Sequence, residues 1–165
     1  GARTAWMLEP YEDTGEPGMP LTPMDEIAEA VRLADRSGLA VAVHAIGDRA
    51  NQELITIFEK LEGNRRNSEH QKTAPPVIPH RLEHVQMIRP QDITRLARLN
   101  LVACVQPHNI ISDIRMIDKS VGPRGRWCYA FRDMLDAGVP VILSSDAPVC
   151  DPNPLAGIHA AVTRQ

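Results

Sequence analysis

Three polar side chains lie at or just beyond the ends of strand-like segments in this 165-residue sequence. His44 closes the apolar run 39–43, His84 closes a shorter segment, and Asp146 follows the run 139–143. Two neutral imidazoles and a carboxylate suit a catalytic zinc site, which has three protein ligands and an open position for water. The metal would lower the pKa of that water, and a carboxylate would accept its proton. The three residues therefore predict metal-assisted hydrolysis, provided that the fold brings them together.

Each of these residues also has a structural interpretation. A single histidine at a strand end more often packs than binds a metal, and Asp146, followed by Ala147-Pro148, also suits a turn that ends a strand. Repetition favours the functional interpretation, because the carboxyl ends of parallel strands meet at one edge of a sheet. Gln106 and His108 follow another strand-like run at the same edge and are candidate substrate contacts. Glu83 is expected to point to the opposite face, in an ion pair with a helix residue.

The order of the predicted elements indicates an α/β fold. The run 39–43 is continuously apolar, as in a strand of a parallel sheet that is buried on both faces. Four helix–strand pairs follow one another, and a final helix closes the chain, which is the pattern of parallel strands joined by helical crossovers. The strands are expected at 39–44, 81–86, 101–106 and 139–146.

Caps and breakers predict the remaining boundaries. Thr22 is expected to cap the first helix and Gly38 to end it, while Asp48 caps the second helix and Gly63 stops it. Residues 1–21 are rich in glycine and proline and predict a long loop. The other predicted segments are a polar connection at 63–79, a helix from Pro90, a long connection at 107–126, a helix over 129–137 and a helix from Pro154 to the terminus.

Four parallel strands fit either an open doubly wound sheet or half of an eight-stranded barrel. No strand is followed by a Gly-x-Gly-x-x-Gly turn, so a dinucleotide-binding fold has no support. A complete barrel of this kind usually takes about 250 residues, which is more than this sequence contains.

Composition favours a single globular domain over 1–165, and a small-molecule substrate is the expected partner. The apolar content of 43% is enough for a core. A net charge of −3 with scattered basic residues argues against a nucleic-acid partner, and no apolar run reaches the roughly 18 residues of a membrane span. The cysteines lack metal-finger spacing and fit a reducing compartment, so a cytoplasmic location is expected. They are Cys104, Cys128 and Cys150.

Four segments at the predicted strand ends resemble the second half of a metal-dependent amidohydrolase. The nearest resemblance is to the branch that includes N-substituted formamide deformylases, and it covers nearly the whole chain. The segments are Val41-Ala42-Val43-His44-Ala45-Ile46-Gly47-Asp48-Arg49-Ala50, Arg81-Leu82-Glu83-His84-Val85-Gln86, Val105-Gln106-Pro107 and Gly138-Val139-Pro140-Val141-Ile142-Leu143-Ser144-Ser145-Asp146-Ala147-Pro148.

The resemblance implies a (β/α)₈ TIM barrel, of which this chain supplies strands five to eight as a half-barrel. His44 and His84 resemble the metal ligands of the fifth and sixth strands. Asp146 resembles the eighth-strand aspartate that binds the metal and takes the proton from the attacking water. The implied cofactor is a divalent metal, with zinc favoured. The family's first-strand His-x-His pair, its bridging residue on the fourth strand and its flanking β domain have no counterpart in these residues.

Three functional hypotheses remain open. The first is hydrolysis of a non-peptide carbon–nitrogen bond, of amide type, by metal-activated water. The second is a catalytically inactive half-barrel that forms a homo-oligomer, because unpaired strand edges and an apolar inner face favour association. The third keeps the metal site but assigns it to the hydrolysis of esters or phosphoesters.

Overall fold

A computed structural model describes residues 3–67 and 76–164 as an α/β fold with four short parallel strands. In chain order the elements are α1 (Met24–Arg36), β1 (Ala42–Ala45), α2 (Asp48–Asn67), β2 (Arg81–His84), α3 (Pro90–Arg98), β3 (Val102–Val105), α4 (Asn109–Ser120), a 3₁₀ helix (Gly122–Trp127), α5 (Phe131–Asp136), β4 (Val141–Leu143) and α6 (Pro154–Thr163).

The four strands form one sheet in the order β1-β2-β3-β4. Every neighbouring pair is parallel, so each strand lies beside the next one along the chain. This simple order, with a helix after each strand, is consistent with half of a (β/α)₈ barrel and confirms the predicted fold class. It also places the four carboxyl ends along a single edge.

One face of the sheet is covered by helices and the other is open. Side chains such as Leu82, Ala103 and Val105 lie in the core that the helices close, and each is fully buried. On β1, by contrast, Ala42 and His44 are exposed. The expectation that the strand before His44 is buried on both faces is therefore wrong. The reason is that the second face is only partly covered: Val102 and Cys104 of β3 are buried there, whereas the β1 positions are exposed.

Proline marks two helix starts correctly, since α3 and α6 begin at Pro90 and Pro154. The predicted Thr22 cap is wrong, because α1 starts at Met24 without a side-chain cap. Gly63 does not stop α2, which continues to Asn67. Of the predicted connection at 63–79, residues 68–75 lie outside the described ranges.

The predicted connection at 107–126 is instead α4 followed by the 3₁₀ helix. Ile110 and Ile117 are seven residues apart and both are buried, so the segment carries a helical apolar stripe. The structure places this helix directly beside the carboxyl edge of the sheet, where its first residues become part of the candidate site.

The first described segment is irregular, as predicted for 1–21, but it is firmly packed. Met7 and Tyr11 are buried in the core. The Leu8 backbone N–H donates a hydrogen bond of 2.9 Å to the carboxylate of Asp48. Asp48 is thus the first residue of α2 and an anchor for this loop, and burial raises the pKa of its carboxyl group.

No helix in the two described ranges has both the length and the apolar character needed to cross a lipid bilayer.

Candidate active site

A cavity of about 650 Å³ opens at the carboxyl edge of the sheet. Each strand contributes to its wall through the residues at its end or in the segment that follows it, as expected for a parallel sheet with its chemistry at that edge. The lining residues are His44, Ile46, His84, Gln86, His108, Asn109, Ile111, Ser112, Asp113, Asp146, Val149, Cys150 and Asp151. All three predicted metal ligands therefore face the same space.

His44 and His84 are in direct contact. Their ring centroids are 4.2 Å apart and the ring planes meet at 66°, which is an edge-to-face arrangement. In the sheet register His44 lies opposite Glu83, while His84 lies opposite Ala45. The contact arises because His84 and Val85 both adopt positive φ, 74° and 43°, at the point where β2 ends. Such backbone costs about 1–3 kcal/mol per residue and is concentrated at functional sites.

Both imidazoles favour the neutral form. Partial burial is the main cause that lowers the pKa of His44, and the neighbouring His84 lowers it further. Burial also lowers the pKa of His84, against opposing effects from the Asp146 carboxylate and a hydrogen bond with Gln106. A neutral imidazole offers the lone pair that a metal ion requires.

Asp146 lies three residues beyond the end of β4, in a turn where its own φ is +57°. The backbone N–H of Val149 donates a 2.8 Å hydrogen bond to the Asp146 carbonyl oxygen and closes this turn. Within the described ranges no donor bonds the Asp146 carboxylate, which is exposed at the cavity. Its charge nevertheless reaches both histidines, because it opposes the lowering of their pKa values.

The two predicted substrate contacts occupy different positions. His108 lines the cavity, and its Nδ1 atom is buried without a hydrogen-bond partner in the described structure. Gln106 is buried, and its amide donates to Ser144 Oγ at 2.9 Å and to the Cys104 carbonyl oxygen at 3.2 Å. Gln106 therefore ties β3 to the end of β4 and supports His84. A substrate contact stays a prediction for both residues.

Glu83 does not behave as expected from its position next to His84. It lies opposite His44 in the register and pairs with Arg81 of its own strand. The predicted helix partner is thus wrong, because strand alternation puts residue 83 on the open face of the sheet, and it is His84 that departs from the alternation.

The side chains of His44, His84 and Asp146 are of the types that bind a divalent ion. Two neutral imidazole nitrogens and an unpaired carboxylate match the ligands that zinc takes at catalytic sites. Among the described residues, however, no three His, Cys, Asp or Glu side chains stand close enough together to form a ready-made metal cage. The geometry brings two of the predicted ligands into contact and leaves the third on the same cavity wall.

Sequence reasoning missed a second polar cluster on this cavity. Asp113 Oδ2 accepts hydrogen bonds of 2.6 Å from Gln86 Nε2 and from the Tyr129 hydroxyl. The signal that could have found it is the helical spacing of the isoleucines in α4. A helix from Asn109 places Asp113 one turn further on the same face, next to the strand ends.

A comparison with known protein families supports this arrangement at the level of the whole chain. The sequence model of the amidohydrolase family matches residues 1–165. The chain belongs to the amidohydrolase family. The four strand-end segments named above are therefore those of a family member, as their resemblance implied.

Two curated relatives are each 32% identical to this chain over 167 residues. Protein LONG AFTER FAR-RED 3 of Arabidopsis thaliana aligns with 99% of this chain and the putative amidohydrolase YtcJ of Bacillus subtilis with all of it. The aligned region is 27% of the Arabidopsis protein and 30% of the Bacillus protein. The chain thus spans less than a third of the length of these relatives.

Two solved structures of metal-dependent hydrolases have the same fold. The Pyrococcus furiosus protein is 34% identical and superposes with a TM-score of 0.83 over 100% of this amidohydrolase chain and 32% of its own. The Pyrococcus horikoshii protein is 31% identical, with a TM-score of 0.84 over 99% of this chain and 31% of its own. Both are described only as uncharacterized metal-dependent hydrolases.

Proposed function

We propose that this chain contributes the second half of the metal site of a hydrolase that cleaves non-peptide carbon–nitrogen bonds of amide type. His44, His84 and Asp146 are the proposed ligands of a divalent ion, with zinc favoured. The observation on which the proposal depends is the contact of the His44 and His84 rings at a cavity that Asp146 also lines. Membership of the amidohydrolase family supports the same chemistry.

Each proposed ligand has its own role in this hydrolysis. Bound at this site, a divalent ion supplies Lewis acidity and lowers the pKa of a water molecule. His44 and His84 offer neutral nitrogen donors, since burial disfavours their protonated forms. An Asp146 carboxylate oxygen takes the proton of the attacking water and then delivers it to the departing amine nitrogen. His108, whose Nδ1 has no hydrogen-bond partner among the described residues, is a proposed substrate contact.

The choice of an amide rests on the family resemblance, and the formamide deformylase branch is our proposal for the closest chemistry. The same ligands would serve an ester or a phosphoester hydrolase. A panel of formamides, carboxylic esters and phosphoesters, assayed on the full-length parent protein, separates these possibilities. Preferential hydrolysis of the amide bond supports the proposal, and preferential hydrolysis of either ester class contradicts it.

The metal site is tested by the zinc content of the purified chain, measured by mass spectrometry after exposure to zinc and removal of loosely bound ion. We expect close to one equivalent for the wild type and a loss of most of it in His44→Ala and in Asp146→Ala. His159→Ala is the matched control, because His159 is an exposed histidine on α6, away from the cavity.

Two results would contradict the ligand assignment. One is full zinc retention in His44→Ala and Asp146→Ala, and the other is equal loss in His159→Ala. Circular dichroism of each variant establishes that it is folded, which we expect because both ligands are exposed and contribute little to the core.

Self-association is a second proposal, supported by the open face of the sheet. Ile142 of β4, which is in register with Cys104 on this face, is 51% exposed. In the described sheet β1 and β4 each have one unpaired edge. Exposed apolar side chains and free strand edges favour contact with another chain, and we propose that a second copy occupies this face when the chain is isolated.

A cytoplasmic location is also part of the proposal. Its support is that Cys104, Cys128 and Cys150 are all unpaired, as is usual in a reducing compartment.

A further inference from the structure

The cavity wall formed by α4 carries a carboxylate that the proposed metal site does not use. Asp113 lies in the second turn of α4 and is half-buried at the cavity. Its Oδ2 atom accepts two short hydrogen bonds, from Gln86 Nε2 at 2.6 Å and from the Tyr129 hydroxyl at 2.6 Å. Two donors on one oxygen fix the carboxylate in a single orientation.

The donors are themselves held by the backbone. The Tyr129 N–H donates to the Gln86 carbonyl oxygen at 2.7 Å, and Arg164 Nη2 donates to the Tyr129 carbonyl oxygen at 2.9 Å. Burial and the nearby Asp113 carboxylate raise the pKa of Tyr129, so its hydroxyl stays protonated and continues to donate. The carboxylate is thus preorganised before any ligand arrives, which reduces the entropy lost on binding.

The charge of Asp113 is not neutralised by its partners. Both donors to Oδ2 are neutral groups, and no Lys, Arg or His in the described ranges forms an ion pair with Asp113. The other oxygen, Oδ1, has one long contact, from Ser112 Oγ at 3.3 Å. Acceptor capacity therefore remains on Oδ1 in a partly desolvated wall, where a cation is attracted more strongly than in bulk water.

Apolar side chains also contribute to this wall, beside the polar ones named above. Ile46, Ile111 and Val149 line the same cavity. A ligand that matches this surface has an apolar body and one cationic, hydrogen-donating head.

We propose that Asp113 is a specificity-determining residue that binds a protonated amine on the substrate, with the apolar part of the substrate against Ile46, Ile111 and Val149. That this ligand is a substrate rests on the proposed function. Recognition of the amine does not, because it needs only the cavity and the carboxylate. The substrate class is therefore an amide that carries an ammonium group on an apolar body.

The test measures the binding of benzylammonium to the metal-free chain by calorimetry at pH 7. Benzyl alcohol, which is nearly isosteric and neutral, is the matched ligand. A hydrogen bond to a charged group contributes about 1.5–3 kcal/mol, so we expect benzylammonium to bind about 10- to 100-fold more tightly than benzyl alcohol. Asp113→Asn is expected to remove that preference.

Three variants separate recognition from structure. Asp118→Asn changes an exposed carboxylate on the same helix and is expected to leave the preference intact. Asp146→Asn tests one of the two other cavity carboxylates, Asp146 and Asp151, and is also expected to leave most of the preference intact. Tyr129→Phe removes one donor but not the Asp113 charge, so the preference should survive in this variant.

Equal binding of the two ligands to the wild type overturns the inference, and so does an undiminished preference in folded Asp113→Asn. Loss of the preference in Asp146→Asn alone also overturns it, because it assigns the cation to the metal site. The zinc measurement tests the metal site separately. If the chain binds zinc but shows no preference for benzylammonium, only the role of Asp113 is refuted. If it prefers benzylammonium but binds no zinc, only the metal site is refuted.

Discussion

His44 is paired in register with Glu83, and yet its ring contacts that of the next residue, His84. Regular alternation along β2 would send the side chain of residue 84 toward the helices. The positive φ values at His84 and Val85 end the alternation and turn that imidazole toward the cavity. The candidate site therefore depends on two backbone conformations as much as on the identity of its side chains.

Asn51 holds the loops that carry these histidines, and its replacement should lower stability. The side chain is fully buried, and its Nδ2 donates to the carbonyl oxygens of Gly47 and Met87, both at 3.0 Å. Asn51→Ala leaves the Met87 carbonyl oxygen without this donor, while Gly47 keeps the bond from the Asn51 backbone N–H, so we expect a loss of about 1–3 kcal/mol in the free energy of urea unfolding. Gln52→Ala, at a half-buried neighbouring position, is expected to change it by less than about 0.5 kcal/mol. Equal effects in both variants would rule out this bracing role.

Two glycines offer a matched comparison of backbone environments. A Cβ on Gly47 would collide with the carbonyl oxygen of Trp6, whereas a Cβ on Gly63 would have no atom within 4 Å. We expect Gly47→Ala to destabilise the fold by about 1–3 kcal/mol or more. Gly63→Ala should stabilise α2 by about 0.5–1 kcal/mol, because alanine favours a helix. Thermal unfolding measures both, and the idea fails if the two melting temperatures shift in the same direction.

His80 should make stability depend on pH. The Val41 N–H donates to His80 Nδ1 at 3.1 Å, and Nε2 lies 3.3 Å from Asp35 Oδ1, which fixes a neutral tautomer protonated on Nε2. Burial lowers the pKa of His80, and the charge of Arg65 lowers it further, while Asp35 and Glu62 oppose the shift. A second proton on Nδ1 would displace the Val41 hydrogen bond.

The direction of the effect follows from this lowered pKa. The unfolded histidine takes up a proton near its ordinary pKa of 6.5, before the folded one does. The contribution of His80 to the free energy of unfolding is therefore fully present above about pH 6.5 and is lost as pH falls toward the folded pKa.

His80→Gln keeps an acceptor and a donor without titrating, so the free energy of unfolding should vary less below pH 6.5 than in the wild type. His44 and His84 contribute with the same sign, and only the difference between the two proteins reports on His80. Parallel pH profiles would contradict the prediction.

Self-association should depend on the open face of the sheet. We expect the isolated chain to have a dimeric mass in light scattering, and Ile142→Lys to shift it toward the monomer, because a charge cannot be buried there without a partner. Leu135→Lys is the control, since Leu135 is 57% exposed but lies on α5. A monomeric wild type, or an equal shift in both variants, would refute the proposed dimer.

Local patterns predicted the order of the strands and the edge at which the site lies, but not α4. Apolar runs marked the strands, and Pro90 and Pro154 marked two helix starts, because these signals are contained within a few residues. Gly63 misled the prediction, since glycine weakens a helix without ending it when nothing else favours a turn. The placement of His44, His84 and Asp146 on one cavity followed from the parallel sheet.

The hydrogen-bonded partners were beyond such reasoning. Gln106 was predicted as a substrate contact on its position alone, and its bond to Ser144 connects residues 38 positions apart. Asp113 was missed because the segment 107–126 was interpreted as a connection and not as a helix. Contacts of this kind depend on how the ends of separate strands meet in space, which no local pattern contains.

The first loop forms hydrogen bonds with residues that lie in the second half of the chain. Ser120 Oγ donates to Asp13 Oδ2 over a separation of 107 residues, and Arg124 donates to the carbonyl oxygens of Glu9 and Pro10. During synthesis the loop around Pro10 therefore cannot form these hydrogen bonds until residue 124 has emerged. We infer that the loop around Pro10 orders only after β1, β2 and β3, which all precede residue 124.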